Sequence, residues 1–347
     1  MGSLLTPLYL FFGWLTRILF GFFGNYGMAI IMLTVIIRAA LIPLNIKSQK
    51  SMIKMQALSG KTAELQRKYG DDKQKYQEEL MKLQQENGAM GFSGCVLPFI
   101  QLFLIWPIYR IVSGPLIYLS QVSKDNVAAM IELANSQDLV AKGTRLTEIT
   151  HIPLINILNT NSDFLSECIS KGYISMGQLL DLHFLGMDLT MTPAWNPVKI
   201  MSDPKAYLPL LIFPILVIIT NLLSMKMAQY LKPGYKEQKE AKEREKTNPA
   251  RAGQTPNDQA EMTTKMMTWM MPLLMLFTTF SLPAAMGLYW VVGGVMGILT
   301  QLLTYFMFTK PYNLKKLEME QKKANAFKKS ASEGENKNKK KSNKKKK

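Results

Sequence analysis

The 347 residues include only two cysteines, Cys95 and Cys168, and only two histidines, His151 and His183. Neither pair forms a CxxC or a Cys/His cluster, so the sequence offers no metal-ligand set. The spans placed below put the two cysteines on opposite sides of a membrane, which argues against a disulfide between them. Both histidines read as ordinary loop residues. Enzyme signatures are also missing. Ser59-Gly60-Lys61-Thr62 ends like a phosphate-binding loop, but Met55 stands where its first glycine belongs and no apolar strand precedes it. HExxH, G-x-S-x-G and paired intramembrane carboxylates do not occur, so neither a catalytic centre nor a cofactor is expected. The N-terminal stretch Met1–Gly24 lacks a basic region and an A-x-A site, which argues against a cleaved signal peptide.

What is present is a contrast. Hydrophobic residues make up 48% of the chain, yet its net charge is +17. One soluble core does not fit both facts; apolar spans joined by charged loops do. A bilayer core needs about 20 mainly apolar helical residues. Five stretches qualify: Tyr26–Leu44, Cys95–Val112, Tyr207–Met225, Met266–Leu282 and Pro283–Phe308. Ser281-Leu282-Pro283 reads as a tight turn between the last two. Leu4–Phe23 repeats Leu8, Phe11, Leu15, Ile18 and Phe22 at helical spacing, with Tyr9, Trp14 and Arg17 as interfacial types. It reads as an amphipathic helix lying in the membrane interface, with a sixth span as the competing reading. The expected architecture is therefore an all-α polytopic membrane protein. Its parts are a five-helix bundle, a cytoplasmic helical hairpin and an N-terminal interfacial amphipathic helix.

Charge sets the orientation. The segments Asn45–Gly94, Lys226–Lys265 and Thr309–Lys347 hold 9, 9 and 15 of the 42 basic residues, whereas Ile111–Tyr207 holds 6 against 9 acids. The excess of Lys and Arg places the first three in the cytoplasm, with the N-terminus outside. Asn45–Gln85 looks like a hairpin turning at Gly70-Asp71-Asp72, with Gly70 ending one helix and Asp71 capping the next. Tyr76, Leu80 and Leu83 form an apolar stripe on the second helix, and Ile53, Leu58 and Leu65 roughly do so on the first. It reads either as a solvated spacer or as a docking arm. Residues 226–265 read as a Pro-broken cytoplasmic linker, and the Lys-rich residues 309–347 as a basic disordered tail suited to lipid headgroups or ribosomal RNA. The external segment 113–206 carries short helices around Asn126–Ala141 and Ser175–Leu182 but no assignable chemistry.

Arg38 lies inside the first span, where arginine costs about 2.5–3.5 kcal/mol on insertion scales. Thr34 lies one turn earlier on the same face. No Asp or Glu occurs in any of the five spans, so Arg38 lacks an obvious counter-ion and points to a wet site awaiting a guest. Gln101, Asn221, Ser224, Tyr289, Trp290 and Gln301 could line the same cavity, or could simply bond neighbouring helices. Met262, Met266, Met267, Met270, Met271 and Met275 offer either an adaptable apolar surface or lipid-facing filler.

Several segments in order resemble the YidC/Oxa/Alb family of membrane-protein insertases. They are Asn25–Ile31 leading into Thr34, Arg38, Pro43 and Leu44; Lys68–Asp71; Gly94–Gln101; Pro107–Tyr109; Met271-Pro272; Leu282-Pro283-Ala284; and Leu288-Tyr289-Trp290. The resemblance covers about Leu8–Val112 and Phe184–Phe308. It implies a bacterial plasma-membrane protein with a hydrophilic groove, open to cytoplasm and lipid, with Arg38 at its heart. Thr34, Gln101 and Trp290 match the family's groove positions. Nascent membrane-protein clients, membrane lipids, a ribosome engaged by the basic tail and a Sec-type translocon are the implied partners. Ser224 departs from the Gln common in relatives, and about Tyr118–Asp181 looks inserted. The rival readings from the residues alone are a small transporter or channel with an anion site at Arg38, and a ribosome anchor without insertion activity.

Overall fold

The computed structural model describes residues 2–70, 72–88, 96–140, 146–147, 151–231 and 272–315, with scattered positions between 235 and 247, at 270 and between 317 and 325. It is predominantly helical. The chain divides into two compact units, one of Met1–Ser48, Gly91–Met227 and Asn257–Thr300, the other of Gln49–Met90, Ala228–Pro256 and Gln301–Lys347.

In the first unit, α1 (Gly2–Phe23) turns through Gly24 into α2 (Tyr26–Ala40). Gly24 has φ +63, a conformation that suits glycine. Asn25 then caps α2 by accepting from the Met28 N–H, while its own amide donates to the His183 carbonyl. The stretch expected as one span, Tyr26–Leu44, is a bent pair. Tyr26–Ala40 and Ile42–Ser48 meet at 41°. Pro43 explains the bend, since it has no N–H for the Ala39 carbonyl and its ring crowds that turn. Helix α3 (Ile42–Ala57) follows.

Three described stretches are long and apolar enough to cross a membrane as they stand: Thr6–Phe23, Pro204–Tyr230 and one beginning at Ala284. The bent pair makes a fourth. The second expected span corresponds to α6 (Val96–Ser113). Most of the fourth lies outside the described residues, but residues 272–279 are helical and 280–282 form the expected turn. In α1, Leu10, Phe11, Trp14, Ile18 and Phe22 are exposed while Phe12 and Thr16 are buried. The stripe read from the sequence is thus largely the outward face. Tyr9 receives Arg110 over its ring, and Gly13 lies against Tyr118.

The segment between α6 and the next long helix is a folded body rather than a loop with two helices. It contains α7 (Pro115–Tyr118), α8 (Lys124–Ser136), α9 (Ile152–Thr160), α10 (Ser162–Ser170), the antiparallel pair β1 (His183–Phe184) and β2 (Met187–Asp188), and α11 (Pro197–Ser202). The helix expected around Ser175–Leu182 is only a 3₁₀ turn, Met176–Gln178. The Ser175 N–H donates to the Gln178 amide oxygen, and Leu179 is already extended. Residue Ala141 lies outside the described residues. Leu154, Ile155, Leu158, Phe164 and Cys168 form the core of this body. Cys168 is free, and burial pushes its thiol up to about 11. Cys95 lies outside the described residues.

His151 is not an ordinary loop residue. It is wholly buried, its N–H donates to the Ser113 carbonyl, and neither ring nitrogen has a hydrogen-bond partner among the described residues. Burial, and then the charge of Arg110, push its imidazole down to about 4. The neutral ring is therefore the folded form, while the unfolded chain protonates near pH 6.5. Stability is complete above that pH and falls by about 3 kcal/mol as the pH drops towards 4. Thermal unfolding followed by fluorescence should show this slope, and His151→Leu should flatten it. An unchanged slope in the variant would remove His151 as its source.

In the second unit, α4 (Ser59–Tyr69) and α5 (Lys73–Glu86) form the two arms expected of a hairpin, with Gly70 ending the first and Asp72 opening the second. The cap is Asp72, not Asp71: its carboxylate accepts from the Lys75 N–H. Gly70 has φ −58, so the turn does not use its left-handed freedom. Leu58 is buried at a break between α3 and α4, and Leu65, Tyr76, Leu80 and Leu83 are half-buried. The side chain of Ile53 lies outside the described residues. A π-helical turn occupies Tyr305–Thr309, and Lys50 sits 4.5 Å over the Phe308 ring.

Candidate functional site

Three helices build the site: α2, α13 (Ile212–Tyr230, preceded by α12, Pro204–Leu210) and α14 (Ala284–Thr304). The start of α14 is fixed by backbone. The Ala284 and Ala285 N–H groups, orphans of a first turn, donate to the Met191 and Leu189 carbonyls. At the start of α2 the Tyr26 hydroxyl donates to the Val112 carbonyl at 2.6 Å. Arg38 follows twelve residues later, about 18 Å along the helix.

The guanidinium of Arg38 lies on the backbone of α14. A β-carbon on Gly293 would stand 2.8 Å from Nη2 and 3.4 Å from Cζ and Nε. Tyr289, one turn before Gly293, stands beside Arg38. Neighbouring Trp290 is buried, and its indole N–H has no partner among the described residues. Thr34 is buried one turn from Arg38, and its hydroxyl donates to the Ile30 carbonyl. Among the described residues Arg38 forms no ion pair, and no group of acids, cysteines and histidines could hold a metal. The structure thus sets Tyr289 beside Arg38 and, among the described residues, leaves the Trp290 N–H as an unspent donor.

The other polar residues divide. The Asn221 amide donates to the Val217 carbonyl, and the Thr220 hydroxyl to the Leu216 carbonyl, both within α13. Their hydrogen bonds are spent inside one helix rather than between helices. Ser224 approaches Gly297, where a β-carbon would stand 3.9 Å from its hydroxyl. The side chain of Gln101, on α6, lies outside the described residues, as do Met262, Met266, Met267 and Met271.

Sequence reasoning missed the glycines. Gly287 abuts Phe213, Gly294 abuts Thr220 and Gly297 faces Ser224. Close approach over small residues is a recurrent way for membrane helices to pack. The contacts rise in step along both helices, so α13 and α14 run parallel. The available signal was four glycines between positions 287 and 297.

These features define a helical membrane protein in which an arginine of one helix lies on a glycine of another, beside a buried indole. Residues 18–311 match the model of the 60Kd inner membrane protein family, and the chain belongs to that family. It is similar to the membrane protein insertase YidC 2 of Bacillus anthracis, 26% identical over 284 residues, covering 81% of this chain and 71% of the relative. It is also similar to the membrane protein insertase YidC of Caldanaerobacter subterraneus, 36% identical over 100 residues, covering 29% of this chain and 48% of the relative. A YidC of Helicobacter pylori is 42% identical over 93 residues, covering 27% and 17%. The chain thus spans under half the length of two of these three relatives.

Proposed function

We propose that this chain is a non-enzymatic insertase of the bacterial plasma membrane. It would accept nascent membrane-protein segments beside Arg38 and release them into lipid, alone or with a Sec-type translocon. One observation carries the reading: the site is made of donors. Among the described residues Arg38 forms no ion pair and the Trp290 N–H has no partner, and the spans read from the sequence contain no acid, which suits an acceptor supplied by a client. Arg38, Tyr289 and Trp290 form its centre. Thr34, Gln101, Asn221 and Ser224 line it more distantly.

The parallel course of α13 and α14 supports a five-span bundle. Two parallel spans require an intervening crossing in the opposite sense, and Met266–Leu282 is the apolar stretch available for it. With the basic segments in the cytoplasm, the N-terminal ends of α2, α13 and α14 are external. Helix α1 then belongs in the external interface. Its Tyr9 meets Arg110 in the last turn of α6, where Tyr26 meets Val112, although about 21 Å of helix separates Tyr9 from the end of α1. The hairpin of α4 and α5 serves to receive clients, and the Lys-rich tail to contact the ribosome and anionic lipid.

The test is site-specific photocrosslinking to a ribosome-stalled nascent membrane protein. Probes at positions 38 and 101 should capture the client, and a probe at exposed Ile219 should capture it far less. Equal yield from all three positions, or none from 38 and 101, would sink the groove reading.

A further inference from the structure

The segment leading into α13 carries large apolar side chains that the fold leaves uncovered. Trp195, Val198 and Met201 are 76%, 74% and 78% exposed, and Leu185 is 80% exposed. Val198 and Met201 share a face of α11 at i, i+3 spacing. Leu185 is odd for a second reason. It sits with Gly186 in the two-residue turn between β1 and β2, at φ +52 and +76. Such turns favour Asn-Gly or Asp-Gly, because both central residues adopt positive φ. A leucine there gains nothing from the protein, since its side chain projects away from it.

Position in the fold says what covers these side chains. Phe184 packs on Gly27 in the first turn of α2, and the Asn25 amide donates to the His183 carbonyl. The turn therefore sits at the N-terminal end of the first span. One residue, Asp203, separates α11 from α12, and α12 leads directly into α13. On that helical pair Leu208, Ile212, Ile215, Ile219 and Leu223 are also exposed, as expected of a lipid-facing stripe. The patch on α11 stands in the chain just before the helical pair that carries this stripe. Its companions are interfacial types. Trp195 is an aromatic-belt residue, Lys199 lies 5.1 Å over the Tyr207 ring, and Lys205 is exposed near it.

We propose that Leu185, Trp195, Val198 and Met201 form a wedge seated in the external leaflet at the boundary between headgroups and acyl chains, with Lys199 and Lys205 meeting lipid phosphates. The wedge ties the external ends of α2 and α13 to one depth, and so fixes how far below the surface Arg38 lies. The inference rests on reading α2 and α13 as spans.

Nitroxide labels on single cysteines separate the two claims. The full chain carrying Cys95→Ala is reconstituted in vesicles of phosphatidylglycerol and phosphatidylethanolamine, with buried Cys168 retained. Leu185→Cys, Val198→Cys and Met201→Cys are labelled in turn. Ile219→Cys reports the span, and Glu132→Cys reports water. At 185, 198 and 201, collision with dioxygen should exceed collision with a water-soluble nickel chelate several-fold, with the reverse at 132. If 219 reads lipid while 185, 198 and 201 read water, the wedge is wrong and the span stands. Shielding from both reagents at those positions means a protein partner, and also overturns the wedge. If 219 itself reads water, the span reading fails and takes the wedge with it.

Discussion

Replacing Arg38 with alanine should lower insertion of a client with an acidic external tail by roughly 10- to 100-fold in reconstituted vesicles. That is the scale set by losing a hydrogen bond to a charged group, about 1.5–3 kcal/mol. A client with a neutral tail should lose much less. The difference between the two clients isolates the charge of Arg38 from the polarity of its surroundings. Arg38→Lys discriminates further. Lysine keeps the charge but loses the planar fork, and it is shorter, so it would reach Tyr289 and the Gly293 backbone less well. It should restore part of the acidic client's insertion. Equal losses for acidic and neutral clients would leave hydration, not attraction, as the working principle.

The same residue shows what could be read from the sequence. Arg38 stands out because a hydropathy window is a local quantity and a charge inside it is conspicuous. The spans α13 and α14 follow for the same reason. The arms of the α4–α5 hairpin were legible from helix periodicity, but its cap was off by one residue, since Asp71 and Asp72 are equivalent to any local rule. The seat of the guanidinium was not legible. Gly293 is distant in sequence from Arg38, and a glycine in an apolar helix carries no mark of what will lie on it. His151 failed differently. Its burial comes from packing between the end of α6 and α9, two elements that no periodicity relates. The folded body between α6 and α12 escaped notice because its helices are short. Windows that detect a span average across α9 and α10, each of 9 residues.

Two adjacent glycines give a sharper test of the site than Arg38 alone, because their substitutions should fail in different ways. A β-carbon on Gly294 would stand 2.7 Å from the Thr220 hydroxyl and 2.8 Å from its β-carbon. A side chain's β-carbon cannot rotate away, so α13 and α14 must separate. Gly294→Ala should therefore destabilise the chain by about 1–3 kcal/mol, the usual cost of overpacking, seen as earlier thermal unfolding in lipid nanodiscs. The three atoms nearest a β-carbon on Gly293 all belong to the guanidinium of Arg38, the flexible end of that side chain. Gly293→Ala should leave unfolding nearly unchanged while the guanidinium swings off α14 and away from Tyr289. Insertion of the acidic client should then fall towards the level of Arg38→Ala. The two substitutions act on one contact, so their effects should not add: the double variant Arg38→Ala with Gly293→Ala should insert no worse than Arg38→Ala. Additive losses would mean that Gly293 serves helix packing, as Gly294 does, and that the arginine finds its place without it.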